Sequence, residues 1–193
     1  MARAPGGLGF VQDVINTMSA DRPRKPDLLG DLDRAQSWLD GALEQWSALT
    51  GAPTDPIVLQ ERDVESLRDL RADLHSVLAN RGDTERVAPA LHPATLGARM
   101  EPDGAVSLEP RGEGWRRVSA IVVLQAFVAQ QQDTWRRLKV CGNRRCGVAF
   151  YDRSRNSSAV WHDARACANA INLRASRERR RKLPSAASAR DES

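Results

Sequence analysis

Three cysteines and one histidine near the C-terminal end of the sequence have the types and spacing of zinc ligands. Cys141 and Cys146 are separated by four residues, and His162 and Cys167, which begin sixteen positions later, repeat that spacing. Three thiolates and one imidazole complete a tetrahedral shell and leave no position open for a substrate water. We therefore predict that these four side chains bind one Zn²⁺ ion as a structural rather than a catalytic site.

The number of cysteines and the terminal sequences limit the alternatives. The chain has only three cysteines, so they cannot form a complete set of internal disulfides, although they could also be small buried hydrophobic residues. The first residues lack the features of a secretory signal, and the longest apolar run, 118–129, is too short to span a bilayer. We expect a cytoplasmic protein with no membrane partner.

The residues between the two ligand pairs predict the turn and the strands that would position the ligands. Gly142 and Gly147 each follow a cysteine and allow the chain to turn tightly enough to aim both sulfurs at one ion. The segment 148–161, VAFYDRSRNSSAVW, predicts two short strands around the polar turn 153–158. A hairpin is therefore expected between the two pairs.

A helix is expected directly after the histidine. Residues five apart on an α-helix point about 140° away from each other, so His162 and Cys167 cannot both lie well inside one helix and face one ion. We expect the helix to begin near Asp163, with that residue as its N-cap. The order of knuckle, hairpin and helix is a treble-clef-like plan.

A strongly basic stretch continues this helix. Its cationic residues are Arg174, Arg177, Arg179, Arg180, Arg181 and Lys182. Three of the arginines recur at i, i+3 and i+7, which places them on one face, and guanidinium groups bind phosphates in a bidentate manner. The pattern indicates contact with nucleic acid, with DNA favoured over RNA. The alternative is a solvated helix end whose cations complement the helix dipole.

Charge divides the chain into two parts. Residues 1–133 hold 14 basic and 20 acidic residues, whereas residues 134–182 hold 14 and 3. The net charge of +4 therefore conceals a local positive field that attracts polyanions. We interpret 1–133 as a helical domain, 134–182 as the zinc module, and 183–193, which is rich in Ser and Ala, as a disordered tail.

The first part has helical periodicity. Apolar stripes predict helices over 11–18, 35–49 and 64–78, and the run 115–130 predicts a central helix that is apolar on nearly every face. Asp103-Gly104, between two short runs, predicts a β-hairpin. The predicted fold class is mainly α with a small β-hairpin: a helical N-terminal domain followed by the treble-clef-like zinc module.

The segment 138–181 resembles the CGNR zinc finger. The string Asp152-Arg153-Ser154-Arg155-Asn156 and Trp161 fall at the positions of that pattern. The chain departs from it where His162 replaces a cysteine and where the tetrad that names the family reads Cys167-Ala168-Asn169-Ala170. Residues 13–17, 27–29, 38–39 and 67–68 are similar to the helical ABATE domain. The resemblance implies a stress-associated bacterial transcription regulator.

Three classes of function follow from these patterns. The first is a DNA-binding regulator whose helical domain senses a small-molecule effector, through Asp13, Asn16, Arg68 and Arg71, or forms a homodimer. The second is a protein–protein interaction or ligand-sensing module without nucleic acid. The third is an enzyme, which we do not expect because no nucleophile and base occur at a recognisable spacing.

Overall fold

The computed structural model describes residues 2–18, 20–21, 24–52, 55–81, 94–143 and 145–182. Its helices are α1 (Leu8–Ile15), α2 (Leu32–Thr50), α3 (Glu61–Ala79), α4 (Gly114–Gln131) and α5 (Asn169–Lys182). Its strands are β1 (Ala20–Asp21), β2 (Arg24–Lys25), β3 (Leu96–Met100), β4 (Val106–Pro110), β5 (Leu138–Val140) and β6 (Ala149–Tyr151). The predicted fold class is confirmed. The tail predicted for 183–193 lies outside the described residues.

The ends of the helices show why the chain forms them where it does. Helix α2 begins at Asp31, whose side chain accepts the backbone N–H of Arg34 at 2.9 Å, and ends at Gly51 with a left-handed φ of 70°. Helix α3 begins with a capping box between Gln60 and Asp63. Helix α1 spans 8–15, so it begins and ends about three residues earlier than the apolar pattern suggests.

Helix α4 is the centre of the core, as its all-round apolar sequence predicts. It packs against α1 and α3, and Val118, Ala120 and Val122 are fully buried although Ala120 lies on the opposite face of the helix from the two valines. The same apolar cluster includes Leu138 of β5 and Ala149 of β6. The strands that flank the first cysteine pair therefore pack directly against the helical part of the chain.

The hairpin predicted at Asp103-Gly104 is present and turns its apolar face to solvent. Strands β3 and β4 pair antiparallel, with Met100 opposite Val106 and Ala98 opposite Leu108. All four of these side chains are exposed, and Gly104 supplies the left-handed φ of 84° in the turn.

In the described part of the chain, no helix is both long and apolar enough to cross a membrane.

Candidate metal centre

The first cysteine pair lies in the connection of a hairpin. Strands β5 and β6 pair antiparallel over three residue pairs, Cys141 follows β5 directly, and its N–H donates to the carbonyl of Val148 at 2.9 Å. The chain then turns through Asn143, whose carbonyl accepts the N–H of Cys146 at 2.7 Å, and through Gly147, whose φ is 66°. This geometry places the sulfurs of Cys141 and Cys146 on the same side of the turn.

The hairpin predicted between the two ligand pairs is only half correct. Its first strand corresponds to β6, but residues 158–161 form no strand, and β6 pairs instead with β5, which precedes Cys141. The reason is that residues 152–159 wrap around the buried carboxylate of Asp152 and the half-buried ammonium of Lys139 instead of pairing with β6. The hairpin therefore carries the first ligand pair rather than separating it from the second.

The second ligand pair lies at the start of the last helix, as predicted. The carboxylate of Asp163 caps this helix by accepting the N–H of Ala166 at 2.9 Å, and this bond lowers the pKa of Asp163. The first turn, Ala164–Ala168, is a π-helix, which continues as α5. The wide turn, which the sequence pattern did not predict, brings Cys167 close to His162 in spite of their separation of five residues.

The four predicted ligands converge with the dimensions of a tetrahedral zinc site. Their ligand atoms all lie within 4.8 Å of one another. The Nδ1 atom of His162 is 3.3 Å from the sulfur of Cys146 and 3.5 Å from that of Cys167. A tetrahedral Zn²⁺ ion with ordinary bond lengths separates a ligand nitrogen from a ligand sulfur by about 3.6 Å. The three-sulfur, one-nitrogen donor set therefore fits zinc.

The protonation of the thiols links metal binding to pH. Burial, together with the neighbouring Cys141 and Cys167, raises the pKa of Cys146 to about 12. Burial and the contact with Cys141 also raise the pKa of Cys167. Because zinc binds thiolates, its binding must release these protons, and the apparent affinity must rise with pH.

Asp152 and Lys139 form an ion pair, buried on the aspartate side, that the spacing of the ligands in the sequence does not indicate. Their N···O distance is 2.7 Å and the side chain of Asp152 has no solvent exposure. Its carboxylate also accepts the N–H groups of Ser154 and Ala159, at 2.8 and 2.9 Å. Burial alone would raise the pKa of Asp152, but these hydrogen bonds outweigh it and hold the pKa well below its usual range.

This ion pair positions the histidine ligand. The Lys139 ammonium also donates to the carbonyls of Ser157 and Ala159, and the N–H of Gly142 donates to the carbonyl of Val160 at 2.8 Å. The chain is thereby tied to the first ligand pair two residues before His162. An aspartate directly after a strand, in a module with few acidic residues, was the available sequence signal.

A second group of contacts joins the hairpin to helix α1. The amide of Asn16, at the C-cap of α1, donates to the carbonyl of Ala149 at 2.9 Å and accepts its N–H at 2.8 Å. Gln12 donates to the same carbonyl at 3.2 Å. Asn16 thus pairs with Ala149 as a neighbouring strand would.

The other residues predicted for an effector site also have intramolecular partners. Asp13 forms an ion pair with Arg3, and burial, which outweighs that pairing, raises its pKa. Arg68 donates to the carbonyl of Leu29 at 2.7 Å, and Arg71 pairs with Asp27 at 2.7 Å. The structure thus gives all four residues partners within the chain, and their role in binding an effector stays a prediction.

The basic stretch forms most of α5. Arg177 and Arg179 have exposed side chains. The side chains of Arg174, Arg180, Arg181 and Lys182 lie outside the described residues, although their backbone belongs to the helix. Apart from the π turn that precedes it, α5 makes few contacts with the other described elements.

Comparison with known protein families supports the assignment of a metal site to this part of the chain. No protein of established function matches the chain. The ABATE resemblance of the N-terminal part stays a prediction. Residues 137–180 match the family model of the CGNR zinc finger, a span that begins just before β5 and contains all four ligands, the Asp152–Lys139 pair and nearly all of α5. The C-terminal part of this chain therefore matches the CGNR zinc finger, and its Cys141, Cys146, His162 and Cys167 cluster could hold a zinc ion.

Proposed function

We propose that this protein is a DNA-binding transcription regulator whose zinc finger presents an arginine-rich helix to phosphate groups. The observation that carries the proposal is the position of α5, which follows the ligand Cys167 without interruption. Six of the nine residues from Arg174 to Lys182 are basic and only Glu178 is acidic. Such a charge density on one helix attracts a polyanion.

The exposure of α5 supports a role in binding. Leu173 is 57% exposed, and Arg177 and Arg179 also face solvent. An isolated helix of 14 residues is only marginally stable in water. Attachment to the metal site at its first turn, together with neutralisation of its charge by phosphates, would compensate for the missing tertiary contacts.

The role of the zinc site in this proposal is structural. When bound, Zn²⁺ holds the hairpin and the start of α5 together, which supplies folding free energy to the module. Four protein ligands leave no position for a substrate water, so binding rather than catalysis is the proposed activity. The acidic helical part would carry regulation, through an effector or through a second copy of the chain.

The test is a salt titration of the zinc-loaded full chain with a labelled mixed-sequence DNA duplex. If α5 neutralises about five phosphates, the slope of log K against log salt is expected near −4 to −5. Replacing Arg177 and Arg179 by Ala should make that slope shallower by about 2. The control is the double replacement of Arg99 and Arg111, two exposed arginines that pair with Glu109. A wild-type slope near zero would refute the proposal.

A second candidate function is a protein–protein interaction module, and the β3–β4 hairpin favours it. Met100 is 70% exposed and Val106 is 62% exposed, side by side on one face. An exposed apolar face of this kind is typical of an interaction surface. Sedimentation that depends on protein concentration, is abolished by Met100→Ser and occurs without any retardation of DNA would select this function.

A further inference from the structure

The loop between β6 and the histidine ligand combines a fixed backbone with exposed side chains. We define it as the return loop, residues 152–159. Arg153, Arg155 and Asn156 lie at its tip and are all exposed, whereas Asp152 at its base is buried. The contacts of the loop's backbone therefore show whether this exposed loop is held in place.

Hydrogen bonds hold the return loop from several directions. Arg137 donates to the carbonyls of Asp152 and Ser154, at 3.0 and 2.8 Å. The hydroxyl of Ser154 accepts the N–H of Ser158 at 3.0 Å, and Ser157 adopts a left-handed φ of 49°. Together with the Asp152–Lys139 pair, these bonds fix both ends and the middle of the loop.

The side chains at the tip are free to bind a partner. In the part of the chain that the structure describes, Arg155 and Asn156 have no hydrogen-bond or ion-pair partner, while Arg153 donates to the carbonyl of Arg3 at 3.3 Å. The two charged groups at the base, Asp152 and Lys139, neutralise each other. The exposed part of the loop is therefore cationic, with one uncharged amide beside the arginines.

We infer that the return loop is a second DNA contact of the module and that Arg155 and Asn156 contact base edges; this inference rests on the proposed DNA-binding function. The guanidinium fork matches the O6 and N7 acceptors of guanine, and a side-chain amide matches the N6 and N7 groups of adenine. These are the side-chain types that provide sequence readout, which the arginines of α5 do not supply through phosphates alone.

The fixed backbone is the reason to assign readout to the loop. Ordering a flexible segment on binding reduces affinity, whereas a segment that is already ordered avoids that cost. Bidentate base contacts also require accurate placement of the side chain, more than a contact to a phosphate does. A buried ion pair and several side-chain hydrogen bonds at the base of a short loop provide that placement.

The experiment selects preferred sites from a randomised DNA duplex pool with the zinc-loaded full chain and then measures affinity for the selected duplex and for a scrambled one. Asn156→Ala is expected to weaken binding to the selected duplex about tenfold, with little change on the scrambled duplex and an unchanged salt slope. Arg155→Ala should weaken binding to the selected duplex at least about tenfold and reduce the preference for the selected site, with little change in the salt slope. The control is Arg136→Ala, because Arg136 is an exposed arginine of the same module that pairs with Asp133.

Metal content and thermal melting of each variant show that the module remains folded. If the wild type binds DNA with the expected salt slope but Asn156→Ala and Arg155→Ala keep its affinity and preference, the loop inference is overturned and the proposed function stands. If the wild type does not bind DNA at any salt concentration, both fail. Retained zinc with loss of preference supports the inference. Ser154→Ala, which removes the hydrogen bond from Ser158 but neither of the proposed DNA contacts, should then cause a smaller loss.

Discussion

The hairpins β3–β4 and β5–β6 are both antiparallel pairs whose connections contain a left-handed glycine, Gly104 or Gly147, but different contacts stabilise them. In β3–β4 the carboxylate of Glu109, 36% exposed, pairs with two exposed arginines. In β5–β6 the carboxylate of Asp152 is completely buried and pairs with Lys139. The first hairpin is stabilised mainly by local pairing, and the second by burial and by contacts with distant residues.

This difference determines how each hairpin should respond to change. Exposed ion pairs contribute little to stability, since water and salt screen them, whereas breaking a buried pair leaves an uncompensated charge inside the protein. A metal ion bound by the four-residue cluster would add a further contribution to the second hairpin only. Perturbations of matched groups in the two hairpins should therefore have unequal effects.

Removal of the metal should have the largest effect. Cys146→Ser, or addition of a strong chelator, is expected to unfold the zinc module, because the free energy of binding at a structural zinc site, about 10–16 kcal/mol in zinc-finger peptides, is largely folding free energy. Hydrogen exchange should show loss of protection in 138–151 while the amides of β3–β4 stay protected. Wild-type exchange in β5–β6 after complete removal of zinc would contradict this prediction.

The two carboxylates provide the next comparison. Asp152→Ala should lower the free energy of unfolding by about 2–4 kcal/mol, because it leaves Lys139 without its partner in a half-buried position. Glu109→Ala should lower it by less than about 1 kcal/mol. Chemical denaturation of the zinc-loaded variants measures both. Equal losses would mean that burial does not distinguish the two hairpins.

Loss of the contact between α1 and β6 should have an intermediate effect. Asn16→Ala leaves the buried N–H of Ala149 without an acceptor and should destabilise the protein by about 1–3 kcal/mol. It should also weaken zinc binding in a competition assay, because β6 begins three residues after Cys146 and helps to position that ligand. Asn80 is the matched control, since it is also a C-cap asparagine but donates only within its own helix, to Ser76. Equal zinc affinities of Asn16→Ala and Asn80→Ala would show that α1 does not position the hairpin.

The glycines of the two turns should show the smallest effects. Gly104→Ala should cost about 1 kcal/mol, since only backbone strain opposes it and no atom lies near the added methyl group. At Gly147 the same methyl group would lie 3.2 Å from the sulfur of Met18. Gly147→Ala should therefore cost slightly more in thermal melts, and it alone should reduce zinc affinity.

Local signals in the sequence were sufficient for much of the fold. Helix α2 could be predicted within three residues of its observed bounds, because its apolar stripe is regular and its caps, Asp31 and Gly51, act only on neighbouring residues. The cluster of four candidate metal ligands could be predicted because metal binding restricts both the residue types and their spacing. Helix α4 could be assigned to the centre because it is apolar on nearly every face.

Interactions between distant residues account for what was missed. The strand that pairs with β6 lies before Cys141, but an equally apolar run follows the polar turn 153–158. The alternation of apolar and polar residues does not distinguish these two candidate partners. Asn16 contacts Ala149 across 133 positions in the sequence, and no periodicity indicates such a contact. From the sequence, Asn16 is instead predicted to belong to an effector site together with Asp13, Arg68 and Arg71.

The π turn at Ala164–Ala168 sets the direction in which the arginines of α5 point. A π turn contains one residue more than an α turn, and each residue of an α-helix advances the side-chain direction by about 100°. A helix of identical composition that began with an ordinary α turn would present Arg177 and Arg179 about a quarter of a turn away. The angular phase of the basic helix is therefore set inside the metal site, and a substitution that converted this π turn to an ordinary α turn without removing a residue would change what the module faces without changing its charge.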